Sequence, residues 1–393
     1  MNQLGTAVRD LFVSLKLTMF LLILSIILVF WATLAQTDLG VWGVQQKFFH
    51  SVFVLTKIPG TELPVPIFPG GYFIGGLLLV NLLAAQIYRF RYTWKKAGIW
   101  LTHLGLILLL VGELLSGLMQ ENMDLVFDNG QTKNYAENEL TNELAITETT
   151  DPATDSVVAI PEHFLADGET IQRPELPFRV VPREYYPNAQ IRLRTEVPNA
   201  PPSQATAGTG SQIALLPLPH ATKEDDRDLP AAYVDLVGVN GTMGTFLVSA
   251  DPDMLPQHFA TENPHRTWKI SLRAERRYFP FSFTLLKFSH DIYPGTDIPK
   301  NFSSRVQIRN NDGSGSREAL IYMNNPLRYG GYTFFQKSFA NEDKTSILQV
   351  VRNPSWRIPY IACAMMALGL VIQFLLHLAV FARRQRKPSP AAA

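Results

Sequence analysis

Cysteine is nearly missing from this chain, with one residue, Cys363, among 393. A lone thiol excludes an intrachain disulfide and a metal cluster held by cysteines alone. Set in an apolar run, it reads as a buried and inert thiol. Net charge is nearly missing too: 35 basic and 34 acidic residues leave +1, and nothing argues for nucleic-acid binding. There is no Gly-x-Ser-x-Gly elbow, phosphate loop, dinucleotide fingerprint or His-Glu-x-x-His, which sets aside the hydrolases and nucleotide enzymes those motifs mark. Cys-x-x-Cys-His is also absent, so the chain does not attach haem to itself covalently.

What the chain has is long apolar runs near its two ends and charge between them. Leu17–Ala35 is the first run. Thr33-Leu34-Ala35 resembles a signal-peptide cleavage site, but the run exceeds an h-region of roughly 7–15 residues, so a retained membrane helix is expected. Further spans are expected at Tyr72–Tyr88, Ala97–Met119 and Pro359–Ala382; each is long enough for a hydrocarbon core of roughly 30 Å. Between the first two, Gln36–Gly70 reads as an interfacial loop with Trp42, Phe48, Phe49 and Phe53. Gly71-x-x-x-Gly75 would allow close helix contact, and Asn81 would face a neighbouring helix.

Basic residues set the orientation. Arg9 and Lys16 precede span one; Arg89, Arg91, Lys95 and Lys96 separate spans two and three; Arg383, Arg384, Arg386 and Lys387 follow span four. All three groups fall on alternate sides of the spans and can be cytoplasmic together. The expectation is a multi-pass membrane protein with both termini cytoplasmic and the central region outside.

That region alternates short β-prone segments with turns such as Asn240-Gly241, Asp312-Gly313 and Gly330-Gly331. Thr267–Arg273, Phe281–Phe288 and Ser304–Arg309 are among these segments, and alternation is clearest in Trp268–Arg273 and Ser304–Arg309. The fold class expected is an α+β membrane protein: four transmembrane helices, with a large extracytoplasmic β-rich domain, a sandwich or open barrel, between helices three and four. The divisions are 1–119 (three-helix anchor), 120–356 (outer domain) and 357–393 (last helix and basic tail). Val197–Gln212 reads as a low-complexity, mobile loop.

Two histidines fall within spans. His103 lies seven residues after Lys96, roughly 10 Å deep, and His377 six residues before Arg383, roughly 9 Å. Ionisable residues in a span face a partner or a cavity, since lipid exposure is costly. Neutral imidazole suits haem iron, and an interhelical hydrogen bond is the plainer alternative. Gly98, Gly105 and Gly112 form a small-residue stripe about 160° from His103. We expect the glycine face to pack within this chain and the His103 face to meet a second protein. Glu113 reads as a helix-pairing residue, with proton handling the alternative. The outer histidines, His163, His220, His258, His265 and His290, are scattered and read as surface or satisfied groups.

Two stretches carry a family resemblance. Phe283–Val306 (FTLLKFSHDIYPGTDIPKNFSSRV) and Tyr322–Phe339 (YMNNPLRYGGYTFFQKSF) resemble ResB (CcsB) proteins, the System II cytochrome c biogenesis factors. The layout of three helices, an outer domain and one last helix is similar as well, while Glu121–Arg266 matches poorly. The resemblance implies a non-catalytic membrane subunit that acts with a ResC/CcsA-type multi-spanning partner. Together they would carry haem across the membrane to apocytochrome c. It implies that His103, by helix number, depth and the basic loop before it, is an axial ligand of a transiently bound haem b, with the partner supplying the other ligand. A His103–His377 pair is the fallback. The partner's Trp-Trp-Asp motif is absent, and Cys363 alone gives little support for a redox role. A membrane sensor or scaffold with a ligand-binding β domain is the competing expectation.

Overall fold

In a computed structural model, the protein is described over residues 3–58, 63–90, 92–151, 154–221, 227–262, 265–295, 299–341 and 344–385. Arg91, Arg386 and Lys387, used above for orientation, lie outside these residues. The chain divides into two compact units, residues 1–120 with 353–393, and residues 121–352.

The first unit is helical. Four of its helices are long and apolar enough to cross a membrane: Leu15–Phe49, Gly71–Arg89, Trp94–Met119 and Ile358–Arg383. A fifth, α1 (Gln3–Phe12), was not foreseen; it leaves Val8 and Leu11 exposed. Ser14 then caps α2 (Leu15–Val44). Asn81 on α3 (Gly71–Ala84) holds this elbow: its Nδ2 donates to the Phe12 and Ser14 carbonyls (2.7 and 3.2 Å), and its Oδ1 accepts from Thr18 (2.6 Å). A buried amide in an apolar helix is thus satisfied by backbone carbonyls at the break between two helices.

The Gln36–Gly70 loop is shorter than expected. α2 runs on to Val44, past a kink at Gly40 where φ is +67°, and a π-turn, Gln45–Phe49, continues it. No breaker stands between Ala35 and Gly40, so helix propensity wins there. The remainder is a hairpin, β1 (Phe53–Lys57) with β2 (Pro64–Pro69). Gly70 and Gly71 seat its base: a Cβ on Gly71 would meet the Phe49 carbonyl at 2.5 Å. Gly75 has open space around it, so the expected Gly71–Gly75 contact motif is not used at its second position. α4 (Ala97–Met119) follows a short 3-10 turn, Trp94–Lys96, and α6 (Ile358–Gln385) packs along it. Cys363 is exposed on α6, against the expectation of burial, because its neighbour Ala362 takes the position facing α4.

The second unit is β-rich, with two large cores strung on one shared pair of strands. β4 (Thr132–Glu148) and the 28-residue β12 (His265–Ile292) pair along most of their length. Toward one end they join β3 (Glu121–Asp128), β13 (Pro299–Asn310), β14 (Ser316–Tyr322), β15 (Leu327–Tyr329), β16 (Tyr332–Ala340) and β17 (Thr345–Arg352). The order is β14-β13-β12-β4-β3-β17-β16-β15. The turn from β14 to β15 carries a Tyr322–Asn325 bridge and brings the ends of the order together, leaving a nearly closed barrel. Its interior is aromatic: Phe279, Phe281, Phe283, Phe288 and Phe334 pack with Leu125, Val306 and Leu348. Toward the other end β4 and β12 pair with β5 (Ser156–Pro161) and β11 (Gln257–Glu262). That face covers a second sheet of β6 (Arg179–Tyr186), β9 (Ala231–Gly238) and β10 (Gly241–Ser249), with Trp268, Ile146 and Leu236 in the core between. A short helix, α5 (His163–Ala166), follows β5, and β7 (Ala189–Leu193) pairs with β8 (Ile213–Pro217) in a small separate sheet. The expectation of a sandwich or a barrel is met by one of each.

Two expectations change here. The stretch 197–212 is not loose throughout. Thr206 and Ala207 donate to the Thr245 carbonyl (2.9 and 3.1 Å) and so cover the edge of β10, and Ala205 and Gly210 are buried. Thr267–Arg273 and Phe281–Phe288, read as separate strands, are parts of β12 joined through a register shift after Tyr278.

Ion pairs run along the shared strands, from Arg273 on the buried Glu143 to Arg276–Glu137 and Arg277–Glu121. A bulge in β16 between Gln336 and Ser338 turns Lys337 out to meet Asp124 (2.9 Å) and Glu139 (2.7 Å). Burial pushes Asp124 up to about 6, with Glu139 adding to the effect and Lys337 opposing it. Burial works against the Lys337 ammonium, but Glu139 and Asp124 outweigh it and raise its pKa. A carboxylate whose folded pKa is raised stabilises the fold fully below its unfolded value near 4 and loses that contribution as pH rises through about 6. Lys337 stays charged throughout that window and contributes no slope. Asp124→Asn is therefore expected to remove about 1–2 kcal/mol of pH dependence, a few degrees in Tm, between pH 4 and pH 6.5. Thermal unfolding of the full chain and the variant across that range checks it; parallel curves would refute the assignment.

Candidate functional site

The glycine stripe of α4 packs on α6, in the phase the sequence indicates. Gly98, Gly105 and Gly112 are the buried residues of α4. A Cβ on Gly98 would run into the Gly369 carbonyl and lie 2.6 Å from the Gln373 amide nitrogen. On Gly105 it would lie 2.7 Å from Met366 Cγ and 2.8 Å from the Ala362 carbonyl, and on Gly112 2.6 Å from Ile358 Cγ2. The backbones approach this closely because nothing projects between them. Polar groups fix the register at both ends. Gln373 accepts from the Ile99 N–H (3.3 Å) and donates to the Lys95 carbonyl (3.4 Å). At the other end Ser116 meets Ser355 (2.9 Å), and Asn353 donates to Ser116 (3.1 Å).

His103 lies on the other side of α4, half-buried. Its Nδ1 is 2.8 Å from the Ile99 carbonyl, one turn back. A carbonyl accepts only, so Nδ1 carries the proton and the Nε2 lone pair is left for a metal or a donor. This orienting bond is the kind that metal-ligating histidines use. Among the described residues nothing bonds to Nε2.

His377 is not brought to His103. Gly105 faces Ala362 and Met366, so His103 is level with about Met366. His377 stands eleven residues further along α6, about 16 Å by helical rise. The depths read from the basic flanks were similar only because α6 continues beyond the start of α4. Glu113 is exposed on α4 and hydrogen-bonds to no described residue. Nearby, Gly117 leaves room for the Tyr72 hydroxyl, and the His50 ring stacks on the Tyr72 ring with centroids 5.5 Å apart and planes 9° apart. The sequence reading passed over His50, which no local pattern distinguishes.

The outer histidines stay apart. His220 pairs with Asp228 (2.6 Å), His290 packs on Phe339, and His258 and His265 sit on the hairpin of β11 and β12. Among the described residues no cluster could hold a metal ion. The residues that carry the family resemblance have structural work. Ser304 donates to Gln336 (2.7 Å) and meets Ser346 (2.6 Å), closing a buried polar knot. Phe334 lies in the barrel core with Tyr329, Tyr332 and Phe339 packed against it, while Phe335 is exposed.

Comparison with known proteins follows the same lines. The ResB-like family model matches residues 84–347, well over half of the chain and straight through the Glu121–Arg266 segment that resembles the family poorly by eye. Protein NrfI of Wolinella succinogenes is 36% identical over 114 residues, which are 28% of this chain and 13% of that protein.

Proposed function

Because the chain belongs to the ResB-like family, we propose that it is the membrane subunit of a System II cytochrome c assembly complex. With a ResC/CcsA-type multi-spanning partner it carries haem from the cytoplasm across the inner membrane and delivers it to apocytochrome c. Its termini and basic flanks lie on the cytoplasmic side and its β-rich unit outside, where that unit acts as a scaffold for the partner or the apocytochrome.

One observation carries this reading: His103, held by the Ile99 carbonyl in the tautomer that leaves Nε2 free, on the face of α4 opposite the helix it packs against. Among the described residues one such imidazole is offered and no second at its level, which suits a haem shared between two subunits. Haem is the cargo; this chain's task is to bind one side of its iron and orient it.

Co-expression with a ResC/CcsA-type partner, purification and an absorption spectrum test the reading. The complex is expected to carry b-type haem, and cells without this chain to lose their c-type cytochromes. Normal cytochrome c levels in such cells would overturn it and leave a membrane sensor or scaffold.

A further inference from the structure

The segment joining α3 to α4 holds aromatics that the sequence reading took only as a basic loop. Phe90, Tyr92, Thr93, Trp94, Ala97 and Trp100 line a shallow cavity of about 250 Å³. Three of the rings make a chain of edge-to-face contacts: Phe90 to Tyr92 at 5.7 Å and Tyr92 to Trp100 at 5.9 Å. The Lys96 ammonium stands 5.9 Å over the Phe90 ring, and Lys95, the preceding residue, is exposed. Trp94 is 91% exposed and Tyr92 64%.

We propose that this hollow is a cradle for one edge of a flat aromatic macrocycle bearing two carboxylates, the chemistry of a porphyrin. Aromatics at a membrane interface are common as single anchors. Here rings from one short segment converge on a single hollow, and the Lys96 ammonium stands over one of them, which is the composition of a ligand site. The volume is below that of most sites for whole ligands, so the cradle takes an edge and leaves the rest of the ring system uncovered. Trp100 and His103 are neighbours at i and i+3 on α4. A macrocycle stacked at Trp100 therefore lies about one helical turn from the imidazole, with its carboxylates toward Lys95 and Lys96. The cradle would receive cargo before His103 binds its iron. In the identity of that cargo the inference rests on the reading above.

Metal-free protoporphyrin IX separates the two, because without iron it takes no axial ligand. The full chain is placed in phosphatidylcholine nanodiscs and the porphyrin's fluorescence is titrated. Saturable binding is expected in the wild type and equally in His103→Ala. Trp100→Leu should weaken it about tenfold, and the highly exposed Trp94→Ala by a smaller factor without affecting folding. Lys95→Gln with Lys96→Gln should weaken the dicarboxylate but not its dimethyl ester. Binding that does not saturate, or that all four substitutions leave unchanged, is partition into lipid and overturns the cradle. If haem loading survives His103→Ala while porphyrin binding depends on Trp100, the cradle stands and the ligand assignment falls.

Discussion

His103→Ala is expected to lower the haem carried by the purified complex by at least about tenfold. Loss of groups that merely orient a metal ligand costs 10–100-fold in metal affinity, and His103 is here assigned as the ligand itself. Alanine also opens a space the size of the ring, so imidazole added to the membranes should restore part of the haem spectrum. A structural histidine would show no such rescue, because an imidazole that only bridges helices does not touch iron. His377→Ala should leave the spectrum unchanged, given its distance of about 16 Å along the helix pair. The pyridine haemochrome absorbance per chain measures all three. Full haem content in His103→Ala, with c-type cytochromes made at the usual level, would remove His103 from the site.

The second large effect belongs to the glycine stripe. Gly98→Val puts two methyl groups where the Gly369 carbonyl and the Gln373 backbone already stand. A flexible neighbouring side chain could swing aside; a helix backbone cannot. The helices must separate, which loses the packing along the stripe and both Gln373 hydrogen bonds, a cost on the order of 3 kcal/mol. Gly75→Val is the matched control on α3, where a Cβ meets nothing within 4 Å. In detergent, Gly98→Val should unfold or become protease-sensitive well below the wild type, and Gly75→Val should not. A cysteine pair across α4 and α6 that cross-links as well in Gly98→Val as in the parent would show that the contact tolerates bulk.

Much of this was legible in the residues. α4 was readable from Ala97 to Met119 because an unbroken apolar run is bounded by Lys96 and Gln120, and its glycine phase named the face that meets α6. The turns at Asn240-Gly241, Asp312-Gly313 and Gly330-Gly331 were readable because those glycines adopt positive φ that other residues resist. What stayed hidden depends on partners distant in sequence. Gln36, Thr37 and Asp38 look like loop residues, yet they continue α2. β3 hides its alternation of Met123, Leu125 and Phe127 under Asp124 and Asp128. The level of His377 could not come from its distance to Arg383, since it is set by how far α6 slides past α4. The cradle escaped notice because its aromatics are spaced by polar residues and only the loop's path brings the rings together.

The Ser116–Ser355 bond joins residues 239 apart, with the whole β-rich unit made between them. During synthesis α4 therefore exists for a long interval without α6, its glycine face open. Only when α6 emerges does that face close, and only then do Ile99 and Lys95 gain Gln373. The helical unit is thus completed only after the β-rich unit, and a ribosome that stops before Ile358 leaves a finished set of strands attached to an unclosed set of helices. Synthesis of α6 and closure of the α4–α6 pair are the same event.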